Sequence, residues 1–245
     1  MGRTNCCAEL KVLGVHLDGG HAPFMVVPVD KLHRARTLTP DEIALVEPLV
    51  IGAHGVERAA PRRDEPTVVI GMGPIGLSAA IFARASGANV VCVDLRPDRL
   101  KFAREKMDFG ATLNSEGNLA ANLHKHFGQL PSVVIDATGN PSSMRGGFQL
   151  AEHGGRIVFL GLFVGDIVFD DPNFHRRELS IHASRAGLTA TFRDVIQLME
   201  ARRISALPLI THRFDFSETA DRLPGIHREA GLVKAMINFD GFECR

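Results

Sequence analysis

The chain has 245 residues, 45% of them hydrophobic, and its 28 basic side chains balance 28 acidic ones. That length allows a sizeable buried core in one large domain or one and a half. The neutral balance and the lack of a basic stripe argue against a nucleic-acid surface, and no apolar run is long enough to cross a bilayer.

The first residues, MGRTNCCAELK, hold no apolar stretch of the signal-peptide kind. Four cysteines, two of them adjacent, make a poor disulfide framework and predict a reducing, cytoplasmic setting. Cys6-Cys7 is too close a pair to chelate well alone, so on the residues alone it reads as loop thiols. Asp18-Gly19-Gly20 signals a turn, and Pro23 to Val29 reads as a strand. Thr39 as N-cap, Pro40 at the first position and the early acids Asp41 and Glu42 predict a helix running toward Val56. Glu47-Pro48 interrupts its apolar face. A carboxylate there is costly unless paired, bonded or functional; otherwise it points to solvent. Residues 57–65 read as a polar linker.

The most informative stretch is PTVVIGMGPIGLSAAIFARASGANVVCVDLRP, residues 66–97. An apolar run, Thr67 to Ile70, meets Gly71, Gly73 and Gly76 in G-x-G-x-x-G spacing. A helical run from Ile75 to Ala85 and a second β-branched run ending in Asp94 follow. Gly71 permits the tight turn, Gly73 lets a pyrophosphate approach the backbone, and Gly76 lets the helix lie close on the strand. Unpaired N–H groups at the helix start, Ile75 after the N–H-less Pro74, then face phosphate charge. Asp94, 18 residues past Gly76, is placed to accept ribose hydroxyls. The pattern predicts dinucleotide binding; a glycine turn serving only close packing is the alternative.

Beyond it, a helix from Asp98 to Met107, a short strand after Gly110 and an amphipathic helix over 115–130 are expected. A strand over 132–137 leads to Thr138-Gly139-Asn140, then a helix, then a strand over 156–160 ending at Gly161. A sixth strand near Leu179 to His182 and a helix over about 191–201 complete the alternation. It predicts a doubly wound parallel sheet of six strands in an α/β fold, with ligands beyond the strands' carboxyl ends. The last segment reads as a strand over 209–216, a short helix and a final strand over 232–238. The expected division is 1–41 as part of a second domain, 42–207 as the nucleotide domain and 208–245 as a return to the second.

The runs NCC, LGVHLDGG, LVEPLVIGAHGVERA, GMGPIGL, VDLRPDRLKFA, VIDATGN, GGRIVFLGL, ELSIHASR and PLITHRFDF follow one another over nearly the whole chain. In these the chain resembles the zinc-dependent branch of the medium-chain dehydrogenase/reductase family, and within it the sorbitol-type and sugar-acid dehydrogenases. The resemblance implies a Rossmann sheet inserted in a GroES-like, β-rich catalytic domain, with NAD and zinc as cofactors. It implies Cys7 as the last of four structural-zinc cysteines and Glu47 as the acid at the catalytic zinc or its water. Arg185 would reach the substrate, with Glu47 as its catalytic partner. Gly71, Gly73, Pro74, Ile75, Gly76, Asp94, Arg99, Thr138, Gly139, Gly161 and Leu162 would hold the cofactor, Leu160 to Leu162 along the nicotinamide.

The chain departs from that family at its start. Family members carry further residues before the position of Cys7, with the other zinc cysteines and the Cys and His-Glu ligands, so the chain resembles an N-terminally truncated member. The expected activity is NAD-dependent, zinc-assisted oxidation of a secondary alcohol of a polyol or sugar acid. The alternatives are a zinc-free quinone or enone reductase of the same superfamily and a non-catalytic dinucleotide-binding remnant. The resemblance also implies a homodimer or homotetramer, with small molecules as substrates and no nucleic-acid or membrane partner.

Overall fold

A computed structural model describes residues 2–239. Its centre is a six-stranded sheet in the order β3-β2-β1-β4-β5-β6, with every neighbouring pair parallel. The strands are β1 Pro66–Ile70, β2 Asn89–Asp94, β3 Thr112–Asn114, β4 Val133–Asp136, β5 Arg156–Phe159 and β6 Ser180–Ala183. The reversal of strand order between β1 and β4 opens the crevice where doubly wound folds take ligands. Val68, Val69, Val91, Cys92, Val134 and Ile135 are fully buried, because helices cover both faces of the sheet.

One face packs against α1 Pro40–Ala59, α2 Pro74–Ala85 and α7 Thr189–Glu200 through Leu45, Leu49, Leu77 and Met199. The other meets α4 Leu119–Phe127 and α5 Pro141–Leu150 through Leu123, Met144 and Phe148. Helix α3 Pro97–Met107 buries Leu100, Ala103 and Met107 on the first face. Helix α1 begins as its sequence predicts: Thr39 Oγ1 accepts from Glu42 N, and the Glu42 carboxylate accepts from Thr39 N at 2.8 Å.

Several expectations are corrected. Helix α1 runs unbroken through Pro48 to Ala59, so residues 57–59 of the expected linker are helical. Residues 23–28 form no strand, and the chain instead makes a single 3-10 turn at Val29–Lys31. Phe24 and Val26 are 56% and 98% exposed; their β-propensity is real, but among the described residues no strand stands beside them to complete a ladder. The helix expected over 115–130 begins only at Leu119, since Asn118 caps it by accepting from Ala121 N. A six-residue helix, α6 Asp171–Arg176, was not expected and places Phe174 against Phe148 and Phe169. Strands β7 Ile210–Asp215 and β8 Lys234–Asn238 pair with each other in parallel, with α8 Thr219–Arg222 between them.

Candidate dinucleotide site

The glycine turn between β1 and α2 separates packing from openness residue by residue. Gly71 has φ +94°, a conformation glycine adopts freely. A Cβ on Gly76 would stand 1.7 Å from the Gly71 carbonyl oxygen, whereas one on Gly73 would meet nothing within 4 Å. Gly73 is also the N-cap of α2 and offers no side-chain cap; Pro74 follows at the first position. The turn therefore presents uncapped helix N–H groups, Ile75 among them, toward open space.

Asp94 ends β2 beside that turn. Its Oδ2 accepts Met72 N at 2.6 Å and its Oδ1 accepts Arg96 N at 2.8 Å. Each oxygen keeps a lone pair for a further donor, and the two backbone bonds fix the carboxylate's orientation. A cavity of about 930 Å³ opens here, lined by Gly71, Asp94 and Thr138 from the predicted set and by Ser115, Asn118 and Asn140 besides. Arg96 is held by Asp98 through Nη2–Oδ2 at 2.6 Å. Arg99 is half-buried on α3 and does not line the cavity; burial, and then the nearby Arg96, pull its guanidinium below its usual range.

Sequence reasoning missed the clamp on the facing loop. Asp136, fully buried at the end of β4, takes Thr138 N at 2.8 Å and Thr138 Oγ1 at 2.6 Å on Oδ1. Its Oδ2 takes Ser143 Oγ at 2.6 Å. The first two bonds hold Thr138, whose methyl group lies where a Cβ on Gly71 would come within 3.0 Å, and the third fixes Asp136 itself. The next strand closes on the same loop: a Cβ on Gly161 would stand 2.1 Å from Gly139 N. Gly139 and Gly161 thus let two backbone segments touch. Leu162, just past them, is 90% exposed.

The other predicted residues do not join this site. Glu47 is exposed on α1, and Arg185 is exposed in the loop after β6. Cys6 and Cys7 are exposed free thiols, while burial pushes the Cys92 thiol up to about 12. Cys244 lies outside the described residues. Among the described residues no three His, Cys, Asp or Glu side chains gather closely enough to hold a metal ion. Among the described residues, the donor set around Cys7 and Glu47 therefore does not fit a zinc ion.

A polar chain without a local sequence signal anchors the first residues instead. Buried Asn5 donates through Nδ2 to the Arg185 carbonyl at 2.9 Å and lies 3.3 Å from His54 Nε2. His54 Nδ1 stands 3.0 Å from Glu57 Oε2, which also accepts Thr191 Oγ1 at 3.1 Å.

The sequence model of the zinc-binding dehydrogenase family matches residues 74–201. L-galactonate-5-dehydrogenase of Escherichia coli K12 is 41% identical over 242 residues, covering 97% of this chain and 71% of its own length. Among solved structures, an alcohol dehydrogenase from E. coli CFT073 complexed with NADH matches with TM-score 0.89 at 28% identity, over 97% of this chain and 71% of that one. A dehydrogenase from Sinorhizobium meliloti 1021 bound to NADP matches with TM-score 0.88 at 27% identity, over 96% and 70%. The chain spans 71% of the length of that L-galactonate-5-dehydrogenase and 58% of the length of the sorbitol dehydrogenase of Gallus gallus.

Proposed function

Since the chain belongs to the zinc-binding dehydrogenase family, we propose that it binds NAD as the cofactor half of a dehydrogenase for secondary alcohols of polyols or sugar acids. The observation that carries this reading is the uncapped, unobstructed start of α2 at Gly73 with the oriented Asp94 carboxylate beside it. When bound, NAD would supply the nicotinamide ring that accepts a hydride from the alcohol carbon. The chain's own part is to bind and orient. The free helix N–H of Ile75, just after Pro74, faces the pyrophosphate, Asp94 takes the ribose hydroxyls, and the Thr138-Gly139 and Gly161-Leu162 backbones border the ring.

In this reading residues 42–207 form the dinucleotide unit, and 1–41 and 208–245 belong to the catalytic one. Glu47 and Arg185 would act on the substrate side. The donor set described above leaves the metal half of the family's chemistry unassembled, which favours a second reading, a chain that binds dinucleotide without oxidising alcohols. A homodimer or homotetramer is also part of the proposal, supported by β6 standing at the sheet edge with Ile181 exposed.

The cofactor should be NAD rather than NADP. The two solved relatives divide between NADH and NADP, so the choice rests on Asp94, whose carboxylate repels a 2′-phosphate. Arg96, the basic side chain that could offset this, is engaged by Asp98. Calorimetric titration of the chain with both oxidised cofactors tests the reading, with tighter NAD binding expected. Equal or tighter NADP binding would refute the assignment of Asp94, and no binding of either would refute the function. A screen of polyols and sugar acids for NADH formation then separates the dehydrogenase from the non-catalytic binder.

A further inference from the structure

A second cleft, of about 470 Å³, lies between residues 32–36 and α7 and shares no residue with the dinucleotide cavity. Its shape follows from alternation. Ala35 and Leu38 pack against the core, which turns Arg34 and Arg36 outward. His33 stacks on Phe192 with ring centroids 5.1 Å apart and planes at 12°, pinning the segment to α7. On α7 itself, Arg193, Gln197 and Glu200 share a face, while Val195 and Met199 are buried on the other side.

The charge in this cleft is unbalanced. Arg34, Arg36 and Arg193 line it, and none of the three guanidinium groups makes a hydrogen bond or ion pair among the described residues. Among the described residues Glu200 is the only carboxylate in the lining, and its Oε1 accepts the backbone N–H groups of Arg36 and Thr37. Those two bonds, and to a smaller extent the charge of the Arg36 guanidinium, hold the Glu200 carboxyl below its ordinary range. The lining sets three guanidinium groups against one carboxylate, so an anion placed in the cleft meets a net positive charge.

We propose that this cleft binds a phosphoryl group, either as free phosphate or carried on a small organic body such as a sugar. The planar guanidinium fork matches phosphate oxygens in pairs, and three forks around one cleft suit a doubly charged anion. The volume falls within the roughly 300–1,000 Å³ usual for small-molecule sites. The Gln197 amide and the His33 ring can bond hydroxyl groups beside the phosphate, and Ile196 and Leu32 supply apolar walls. The proposal does not depend on the dinucleotide reading.

The test uses the full chain with saturating NAD, which keeps phosphate away from the start of α2. Inorganic phosphate and glucose 6-phosphate are titrated separately by calorimetry. Saturable binding of at least one is expected, and tighter binding of the sugar phosphate would identify the organic form as the source. Arg34→Gln and Arg193→Gln should each weaken binding by about tenfold or more. Both side chains are exposed, so the thermal unfolding midpoint should stay at the parent's value; Lys125→Gln on α4 should leave binding unchanged. No saturable binding, equal binding by the parent and both arginine variants, or displacement by NAD would each overturn the proposal. If NAD itself does not bind, the arginine variants still decide, because neither residue lies in the dinucleotide cavity.

Discussion

One methyl group, added at two glycines three residues apart, should separate folding from binding. Gly76→Ala places its Cβ 1.7 Å from the Gly71 carbonyl oxygen, a backbone atom that cannot rotate aside. An ordinary contact needs about twice that distance, so α2 must lift from β1. Overpacking of this kind costs about 3 kcal/mol, the upper end of the usual span. For a chain of this size that lowers the unfolding midpoint by roughly 6 to 12 °C. Gly73→Ala meets nothing within 4 Å, and the φ of −76° suits alanine. Losing glycine at the N-cap costs roughly 1 kcal/mol, and the stiffer unfolded chain returns about 0.4–1 kcal/mol. The midpoint should stay within about 4 °C of the parent's. The same methyl would stand where the pyrophosphate approaches, so NAD affinity should drop by about ten- to a hundredfold, the worth of a charge-assisted bond. Differential scanning fluorimetry and calorimetric NAD titration of both variants read the two effects apart. A Gly73→Ala chain that binds NAD as the parent does, or a Gly76→Ala chain that melts with the parent, would refute the reasoning.

Asp136→Asn keeps the shape of the β4 clamp but loses its charge and strands an amide hydrogen in a fully buried site. A destabilisation of about 2 kcal/mol is expected, together with weaker NAD binding as Thr138 loosens; an unchanged midpoint and affinity would count against the clamp. His182 is half-buried, and burial, then Arg58 and Arg156, hold its pKa below the ordinary 6.5. Its unfolded form therefore takes up a proton more readily than its folded form. The stability it contributes is present above about pH 6.5 and is lost as pH falls through the lowered folded value. His182→Gln should flatten the fall in unfolding midpoint between about pH 7 and pH 5; a slope identical to the parent's would show that another group sets it.

The six strands and the glycine turn were legible because each is a local pattern: a β-branched run, a glycine spacing, an acid at a strand end. What stayed illegible depends on partners distant in the chain. Phe24 and Val26 carry a strand's composition, but a strand exists only where another stands beside it. Helix α6 is too short to be stable by propensity; Phe174 holds it through rings on α5 and the preceding loop. Asp136 could be read as the end of a strand, yet its role needs Ser143, which lies on the next helix. The Asn5–His54 contact spans 49 residues with nothing periodic to mark it. Glu47 shows the opposite difficulty, since a solvent-facing and a substrate-side carboxylate have the same local sequence and both are exposed in this chain.

The sheet order bears on how the chain folds. Thr67 faces Val90 on one side and Val133 on the other, so the second pairing encloses almost three times as much chain as the first. Closing the longer loop costs about 1 kcal/mol more in entropy, which favours β1–α2–β2 as the unit that forms first. The phosphate-facing turn lies inside that unit, but Thr138, on the facing loop, arrives only with β4. A nucleus built from β1–α2–β2 would therefore hold half of the cofactor cavity, too little to gain from the ligand. Contacts made after the folding barrier act on the way out: the dinucleotide would slow unfolding while leaving the rate of folding nearly untouched.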